Sequence, residues 1–280
     1  MKIGFIGQGF VGKAYADDFE ARGYDIVRYA KEEPYMKNKE AIAECEIVFI
    51  AVPTPTIPEG FDDHILREVL SLVGAGNIAV IKSTIVPGRT KELQDAYPDV
   101  IILHSPEFLT EKTAREDASH PVRNIIGIPI ESELYHDAAT KVLRVLPKAP
   151  HELICASGEA EMIKYGGNCW FYVKVVYINM LYDLAHARGL DWDVIEKGMG
   201  ADPRIGSTHL HPAHQGGRGA GGHCFIKDFA ALSEFYKKEL PTDTRGVCIL
   251  SALSDKNNQL LRDSGKDISL LEGVYGAGVH

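Results

Sequence analysis

The chain has 280 residues, 45% of them hydrophobic and 25% charged, with a net charge of -9. This composition fits a soluble globular protein of one large or two ordinary domains. It leaves no basic arm for nucleic acid and no global positive field for phosphate, so any phosphate binding must be local. No apolar run is long enough for a membrane span, and the N-terminus lacks the layout of a signal peptide. The five cysteines, at 45, 155, 169, 224 and 248, show no zinc-type pairing, which suits free thiols in a reducing cytoplasm.

Residues 2–7, Lys-Ile-Gly-Phe-Ile-Gly, predict a buried strand. Gly7, Gly9 and Gly12 follow in Gly-Gln-Gly-Phe-Val-Gly, and a helical pattern runs from Val11 to about Ala21. Strand, G-x-G-x-x-G and helix in succession are the context of a dinucleotide-binding turn. Gly7 allows the tight turn and Gly9 the approach of a pyrophosphate to the helix N-terminus. Gly12 lets the helix pack close to the strand. Phe10 and Val11 lie in the same turn and join the cofactor candidates. The competing reading is a glycine-rich turn that binds nothing. The second strand, Asp25 to Tyr29, ends in Ala30, where a NAD-binding fold usually places an acid on the ribose hydroxyls. Glu32 or Glu33 is a candidate substitute, and Lys31 would suit the 2′-phosphate of NADP.

Glu46 to Val52 reads as the next strand and ends in Pro53-Thr54-Pro55-Thr56. Ligands of α/β sheets sit at strand C-termini, so Val52, Pro53 and Thr54 are further cofactor candidates. A helix from about Asp62 to Leu72 precedes a strand at Ile78–Lys82, which runs into Ser83-Thr84-Ile85-Val86-Pro87-Gly88. By residue type alone, Thr84 is a helix cap. A short strand, Val100 to Leu103, delivers Ser105-Pro106-Glu107-Phe108-Leu109. A carboxylate after a proline is ordinarily a solvated turn residue. Arg123 to Gly127 is another strand. This alternation of strands and helices predicts a parallel, doubly wound, Rossmann-type sheet as far as about residue 156.

From Gly158 to Arg188 there is no proline, and apolar residues recur at Met162, Tyr165, Cys169, Tyr172, Val176 and Met180. That spacing predicts one long helix and places a domain boundary near its start. The expected domains are 1–156 and an all-helical 157–280. Lys164 and Asn168, four residues apart, share one face of the long helix. A lone helical lysine is ordinarily a solvated charge, but a cation beside an amide donor also suits a developing oxyanion. His209, His211 and His214 are irregularly spaced around a proline, and no metal site is predicted. The segment Gly216-Gly217-Arg218-Gly219-Ala220 leads into Gly221-Gly222-His223-Cys224-Phe225-Ile226-Lys227-Asp228 and then an apolar helical pattern. A cysteine at the mouth of a helix feels the positive end of its dipole, and Lys227 adds charge; both favour the thiolate. The plain alternative is a small buried hydrophobe in a turn. Thr244 to about Leu261 reads as a last helix.

The run from Gly221 to Asp228 resembles the Gly-Gly-x-Cys-Phe-x-Lys-Asp signature of the nucleotide-sugar 6-dehydrogenases, the UDP-glucose and GDP-mannose dehydrogenases. Val52-Pro53-Thr54-Pro55, Lys82-Ser83-Thr84, Pro106-Glu107-Phe108-Leu109, Lys164-Tyr165 with Asn168, Asp202-Pro203-Arg204-Ile205-Gly206 and Asn257-Asn258-Gln259 are similar to further segments of that family, in the same order. The resemblance implies a NAD-binding domain and a central dimerisation domain, with the family's C-terminal nucleotide-sugar-binding domain lacking. It implies oxidation of a sugar primary alcohol to a carboxylate, as in polysaccharide biosynthesis, by a cytoplasmic homodimer acting on a nucleotide sugar or related sugar. Carried over by motif, Cys224 is the nucleophile, Lys164 and Asn168 hold the oxyanion, and Thr84, Glu107 and Asp228 place water, with Glu107 as base. Arg204, Phe108, Leu109 and Lys227 are expected at the substrate, Arg204 across the dimer interface. The alternative class is a non-catalytic dinucleotide-binding or regulatory protein.

Overall fold

The computed structural model describes residues 1–276. The strands are β1 (Lys2–Ile6), β2 (Asp25–Tyr29), β3 (Ile47–Ile50), β4 (Thr56–Ile57), β5 (Gly60–Phe61), β6 (Ile78–Ile81), β7 (Ile101–His104), β8 (Arg123–Ile128), β9 (His151–Ala156), β10 (Ala213–His214) and β11 (Gly217–Arg218). The helices are α1 (Phe10–Ala21), α2 (His64–Leu70), α3 (Arg89–Ala96), α4 (Ala114–Ser119), α5 (Glu133–Val145), α6 (Ser157–Ala187), α7 (Trp192–Gly200), α8 (Gly222–Glu239), α9 (Thr244–Asp263) and α10 (Ile268–Tyr275). They form two compact units: residues 1–54 with 63–164, and residues 55–62 with 165–280. The second unit therefore takes in the β4–β5 hairpin, which the expected division at 156/157 did not anticipate.

The first unit is built on a seven-stranded sheet of order β2-β1-β3-β6-β7-β8-β9. β3 and β6 are buried at every residue because Ile-Val-Phe-Ile and Ile-Ala-Val-Ile are apolar on both faces, as strands covered on both sides must be. Phe5, Phe19 and Phe49 pack ring to ring, 5.2–5.3 Å between centroids, at the centre of the core. The sheet departs from the expected all-parallel arrangement at one place: β8 pairs antiparallel with β7, where His104 faces Gly127. A parallel partner needs a crossover connection. Residues 105–122 supply only a short turn and the six-residue α4, which lies against α1.

Strand order reverses between β1 and β3, so the cleft at their C-terminal ends is the topological switch point. Two glycines make this corner possible. Gly7 has φ +90°, and a Cβ there would collide with the Ala51 carbonyl; one on Gly12 would collide with the Gly7 carbonyl.

The second unit is helical. Ile178, Ala185, Trp192 and Leu210 form one cluster, and Ile226, Leu261 and Leu271 form another. Tyr172 of α6 stacks on Phe229 of α8, with ring centroids 3.9 Å apart. The β4–β5 hairpin is tied in by Thr56, whose hydroxyl donates to the Lys227 carbonyl at 3.1 Å. The long helix and the helix from Thr244 form as expected. α10 was not anticipated.

Candidate functional site

The residues singled out in the sequence fall in both units. In the first, the switch-point edge carries the cofactor candidates. Gly9 caps α1 without a side chain, and a Cβ added there would meet no protein atom, so the space at the helix N-terminus is open. That is where a diphosphate fits: beside unpaired N–H groups, at the positive end of a helix. The ends of β3 and β6 are stitched together alongside. The Val52 amide donates to Ser83 Oγ at 3.0 Å, and that hydroxyl donates back to the Val52 carbonyl at 2.7 Å. Thr54 Oγ1 donates to the Thr84 carbonyl at 2.7 Å. Thr84 is half-buried and caps no helix, because the N-cap of α3 is Gly88. At the end of β2, Ala30 is buried and Glu32 and Glu33 are exposed. Lys31 pairs with Glu68 at 2.8 Å.

A buried polar cluster occupies the end of β7. Lys164 Nζ donates to the Glu107 carbonyl at 2.6 Å and to Glu107 Oε1 at 3.0 Å. The other carboxylate oxygen of Glu107 accepts from the Leu109 amide at 2.8 Å. Both residues are buried, so Glu107 is no solvated turn carboxylate and Lys164 no solvated charge. The Phe108 ring lies with the Arg123 guanidinium 3.6 Å from its centroid and Lys164 Nζ at 5.7 Å. Leu109 packs against the sheet core.

A second buried lysine joins this cluster. Lys82 is 3% exposed, donates to Ser105 Oγ at 3.0 Å and sits 4.3 Å over the Tyr15 ring. Desolvation lowers its pKa to about 7, with Glu107 opposing and Lys164 reinforcing the shift. In the sequence Lys82 stands at a strand end, within the family-like Lys82-Ser83-Thr84 segment, and no role follows for it. Its one signal was a charge closing an otherwise apolar strand. Glu161 was also missed. Fully buried on the first turns of α6, it accepts from the Gly88 and Thr90 amides at 2.6 and 2.7 Å and from Thr90 Oγ1 at 2.5 Å. It is the cap of α3, supplied from more than seventy residues away.

In the second unit, Cys224 is half-buried at the third position of α8, within the turn where the helix dipole favours a thiolate. Asp228 follows one turn later and is fully buried. Its two carboxylate oxygens are both engaged: Oδ2 accepts from Asn168 Nδ2 at 2.6 Å and Oδ1 from Lys227 Nζ at 2.6 Å. A carboxylate so held orients the amide of Asn168 and the ammonium of Lys227.

Further polar side chains of the second unit are engaged locally. Lys174 donates to the Ile205 carbonyl at 2.8 Å and anchors the 202–206 turn. Asn179, buried, accepts from Arg218 Nε at 2.8 Å. Arg204 is exposed, in an ion pair with Asp202 at 2.6 Å. His209 stacks on Phe171, and His211 contacts Glu196. Among the described residues no three His, Cys, Asp or Glu side chains are grouped to hold a metal.

A Rossmann-type sheet with a glycine turn at its switch point, followed on the same chain by a helical unit, is the architecture of a dinucleotide-binding protein. Residues 33–144 match the NAD binding domain of the UDP-glucose/GDP-mannose dehydrogenase family, and residues 158–258 match its central domain. The chain belongs to this family. A UDP-glucose 6-dehydrogenase of Rhizobium meliloti is 30% identical over 279 residues, covering 83% of this chain and 62% of its own length. A putative UDP-glucose 6-dehydrogenase of Bacillus subtilis is 28% identical, covering 87% of this chain and 65% of its own. The chain thus spans less than two-thirds of either relative. The structure of a UDP-glucose dehydrogenase from Pyrobaculum islandicum superposes with a TM-score of 0.80 at 26% identity, over 97% of this chain and 70% of that one.

Proposed function

We propose that this chain is a NAD-dependent dehydrogenase that oxidises the primary alcohol of a nucleotide sugar, or a related sugar, to a carboxylate through a thioester on Cys224. The observation that carries the reading is the placement of Cys224 in the first turn of α8, one turn before a buried Asp228 held by Asn168 and Lys227. The motif match and the relatives' names support the substrate class.

NAD, held by Gly7, Gly9, Phe10, Val11 and Gly12 with Val52, Pro53, Thr54 and Thr84 alongside, supplies a hydride acceptor for each of the two oxidations. The chain's own residues do the rest. Cys224 thiolate adds to the aldehyde carbon, and the aldehyde oxygen takes the negative charge as the C–S bond forms. Lys164 and Asn168 donate hydrogen bonds to that oxygen. After the second oxidation, water attacks the thioester carbonyl, the C–S bond breaks and the thiolate leaves. Glu107 takes the proton of that water, with Thr84 and Asp228 placing it. Lys164 hydrogen-bonds Glu107 in the structure, and this pairing holds the carboxylate in a fixed orientation. Phe108, Leu109 and Lys227 are assigned to the substrate.

The active form is proposed to be a cytoplasmic homodimer. Trp170, Tyr177 and Leu184, at seven-residue spacing on α6, are 65%, 57% and 60% exposed, an apolar stripe that a second copy would cover. Arg204, exposed beyond its Asp202 pairing, is the residue assigned to the partner's substrate. No described helix is long and apolar enough to cross a membrane. The deciding experiment is NADH formation by the purified chain with a panel of nucleotide sugars. Appearance of the matching uronic acid supports the reading, and no NADH with any of them overturns it.

A further inference from the structure

The glycine-rich segment before α8 has few side chains with which to hold itself, and its backbone is held by others. The Arg218 amide donates to Ser264 Oγ at 3.0 Å. The Gly219 carbonyl accepts from Lys266 Nζ at 3.0 Å. The Ala220 amide and carbonyl both bond to the Asn257 side chain, at 2.7 and 3.0 Å. The Gly222 amide donates to Asp267 Oδ2 at 2.7 Å. The turn between α9 and α10, with Asn257 one helix face earlier, therefore grips this segment at almost every residue.

The fit is close. A Cβ on Gly221 would lie 2.7 Å from Lys266 Cε and collide with the Asp267 carboxylate; one on Gly217 would lie 2.7 Å from Lys266 Cβ and from Ser264 Oγ. These glycines answer to the approach of the 264–267 turn as much as to turn geometry. Gly221 is the N-cap of α8 and has no side chain for the orphan amides of the first turn. Asp267 supplies that cap from outside, from a left-handed backbone conformation with φ +53°. Lys266 is buried at 7% exposure, a cost offset by the Gly219 carbonyl and the neighbouring Asp267 carboxylate.

We infer that Lys266 and Asp267 are positioning residues for Cys224: they fix the backbone from Gly219 to Gly222 and so set where α8 presents its thiol. This rests on the reading of Cys224 as the reacting nucleophile. The charged and titratable groups on the elements that form this helix mouth are Arg218 on the preceding segment, His223, Lys227 and Asp228 on α8, and Lys266 and Asp267 on the turn.

The test uses the full chain and the variants Asp267→Ala, Asp267→Asn and Lys266→Met, with two readouts that need no turnover. Hydrogen exchange of the peptide spanning 219–224 reports the Gly222 amide. Alkylation by iodoacetamide, mapped by peptide mass spectrometry, reports Cys224, with the exposed Cys248 of α9 as internal control. In Asp267→Ala the exchange should quicken by about tenfold, the loss of one charge-assisted hydrogen bond. Cys224 alkylation should change at least about threefold relative to Cys248 (the scale of under one kcal/mol of local reorganisation). Lys266→Met should act in the same way. Asp267→Asn keeps an acceptor oxygen and should restore the exchange rate. Faster exchange with unchanged Cys224 alkylation would reduce the turn to a local tie and overturn the inference. Unchanged exchange in both Asp267→Ala and Lys266→Met would overturn it too. Absence of turnover in the unaltered chain would count against the thioester reading alone, because neither readout depends on it.

Discussion

Replacing Lys82 with methionine keeps the stem of the side chain and removes its charge. Burial lowers the Lys82 pKa from 10.5 to about 7. The sign follows from proton counting. Between about pH 7 and 10.5 the unfolded chain holds this proton and the folded chain does not, so the wild type gains stability as pH rises through that window. Below about pH 7 both states are charged and the fold bears the whole cost of burying the ammonium. At about 1.4 kcal/mol per pH unit, that cost is at most on the order of 5 kcal/mol. The variant loses the bond to Ser105 Oγ, worth about 1.5–3 kcal/mol for a charged donor. It also loses the contact with the Tyr15 ring, worth about 1–2 kcal/mol when desolvated. The two sides nearly cancel at neutral pH, so the informative quantity is the slope. Urea unfolding followed by circular dichroism from neutrality to about pH 10 should show wild-type stability rising relative to Lys82→Met by up to about 1.4 kcal/mol per pH unit. Parallel pH profiles for the two proteins would refute the reasoning, since Lys82 would then titrate alike in both states.

Four further outcomes are expected. Cys224→Ser should leave NAD binding unchanged and abolish carboxylate formation, because serine has no comparable ionised form near neutrality; product analysis by mass spectrometry decides. Lys164→Ala should lower kcat on the order of a hundredfold and leave the Glu107 carboxylate without its buried partner. Stopped turnover should be read together with a thermal melt, and normal kcat in the folded fraction would remove the oxyanion role. Burial and the charge of Lys82 push the His104 pKa from 6.5 down to about 3. The fold therefore loses stability as pH falls through that window, by up to about 1.4 kcal/mol per unit, and His104→Phe should flatten that stretch of the acid unfolding curve. Trp170→Glu, in the exposed stripe of α6, should convert a dimer to a monomer by light scattering; a wild type that is already monomeric at micromolar concentration would discard the interface.

Local patterns with short physical reach were legible in the sequence. The strand, glycine turn and helix at residues 2–21 need no distant partner to be recognised. α6 announced itself through periodicity, and Lys164 and Cys224 through neighbours a few positions away. What stayed hidden depends on partners far along the chain. Glu161 looks like one more helical acid until Gly88 and Thr90 are brought to it. Lys82 reads as the edge of a strand, and only tertiary packing shows it to be buried beside Glu107 and Lys164. The reversal of β8 is a property of what 105–122 fails to supply, and no residue within the strand encodes it. Ile268–Tyr275 is short and follows the Ser264-Gly265 break, so its apolar content alone did not separate it from a tail. Lys266 and Asp267 read as polar turn residues, and their role appears only where the glycines of 217–222 leave room for them.

The hairpin of β4 and β5 has a consequence for how this protein can be made and cut. Residues 55–62 leave the ribosome early, yet their partners, the Lys227 carbonyl and α10, come more than 160 residues later. The second compact unit is therefore discontinuous in the chain and closes only after a long loop is drawn shut. During synthesis the hairpin has to wait, folded on nothing of its own unit, until α8 and α10 have emerged. A fragment started at residue 165 would truncate α6 and lack one wall of that unit, including the contact that Thr56 makes with the Lys227 carbonyl of α8. Dissection for separate study should fuse 55–62 to the fragment through a short linker or leave the chain whole.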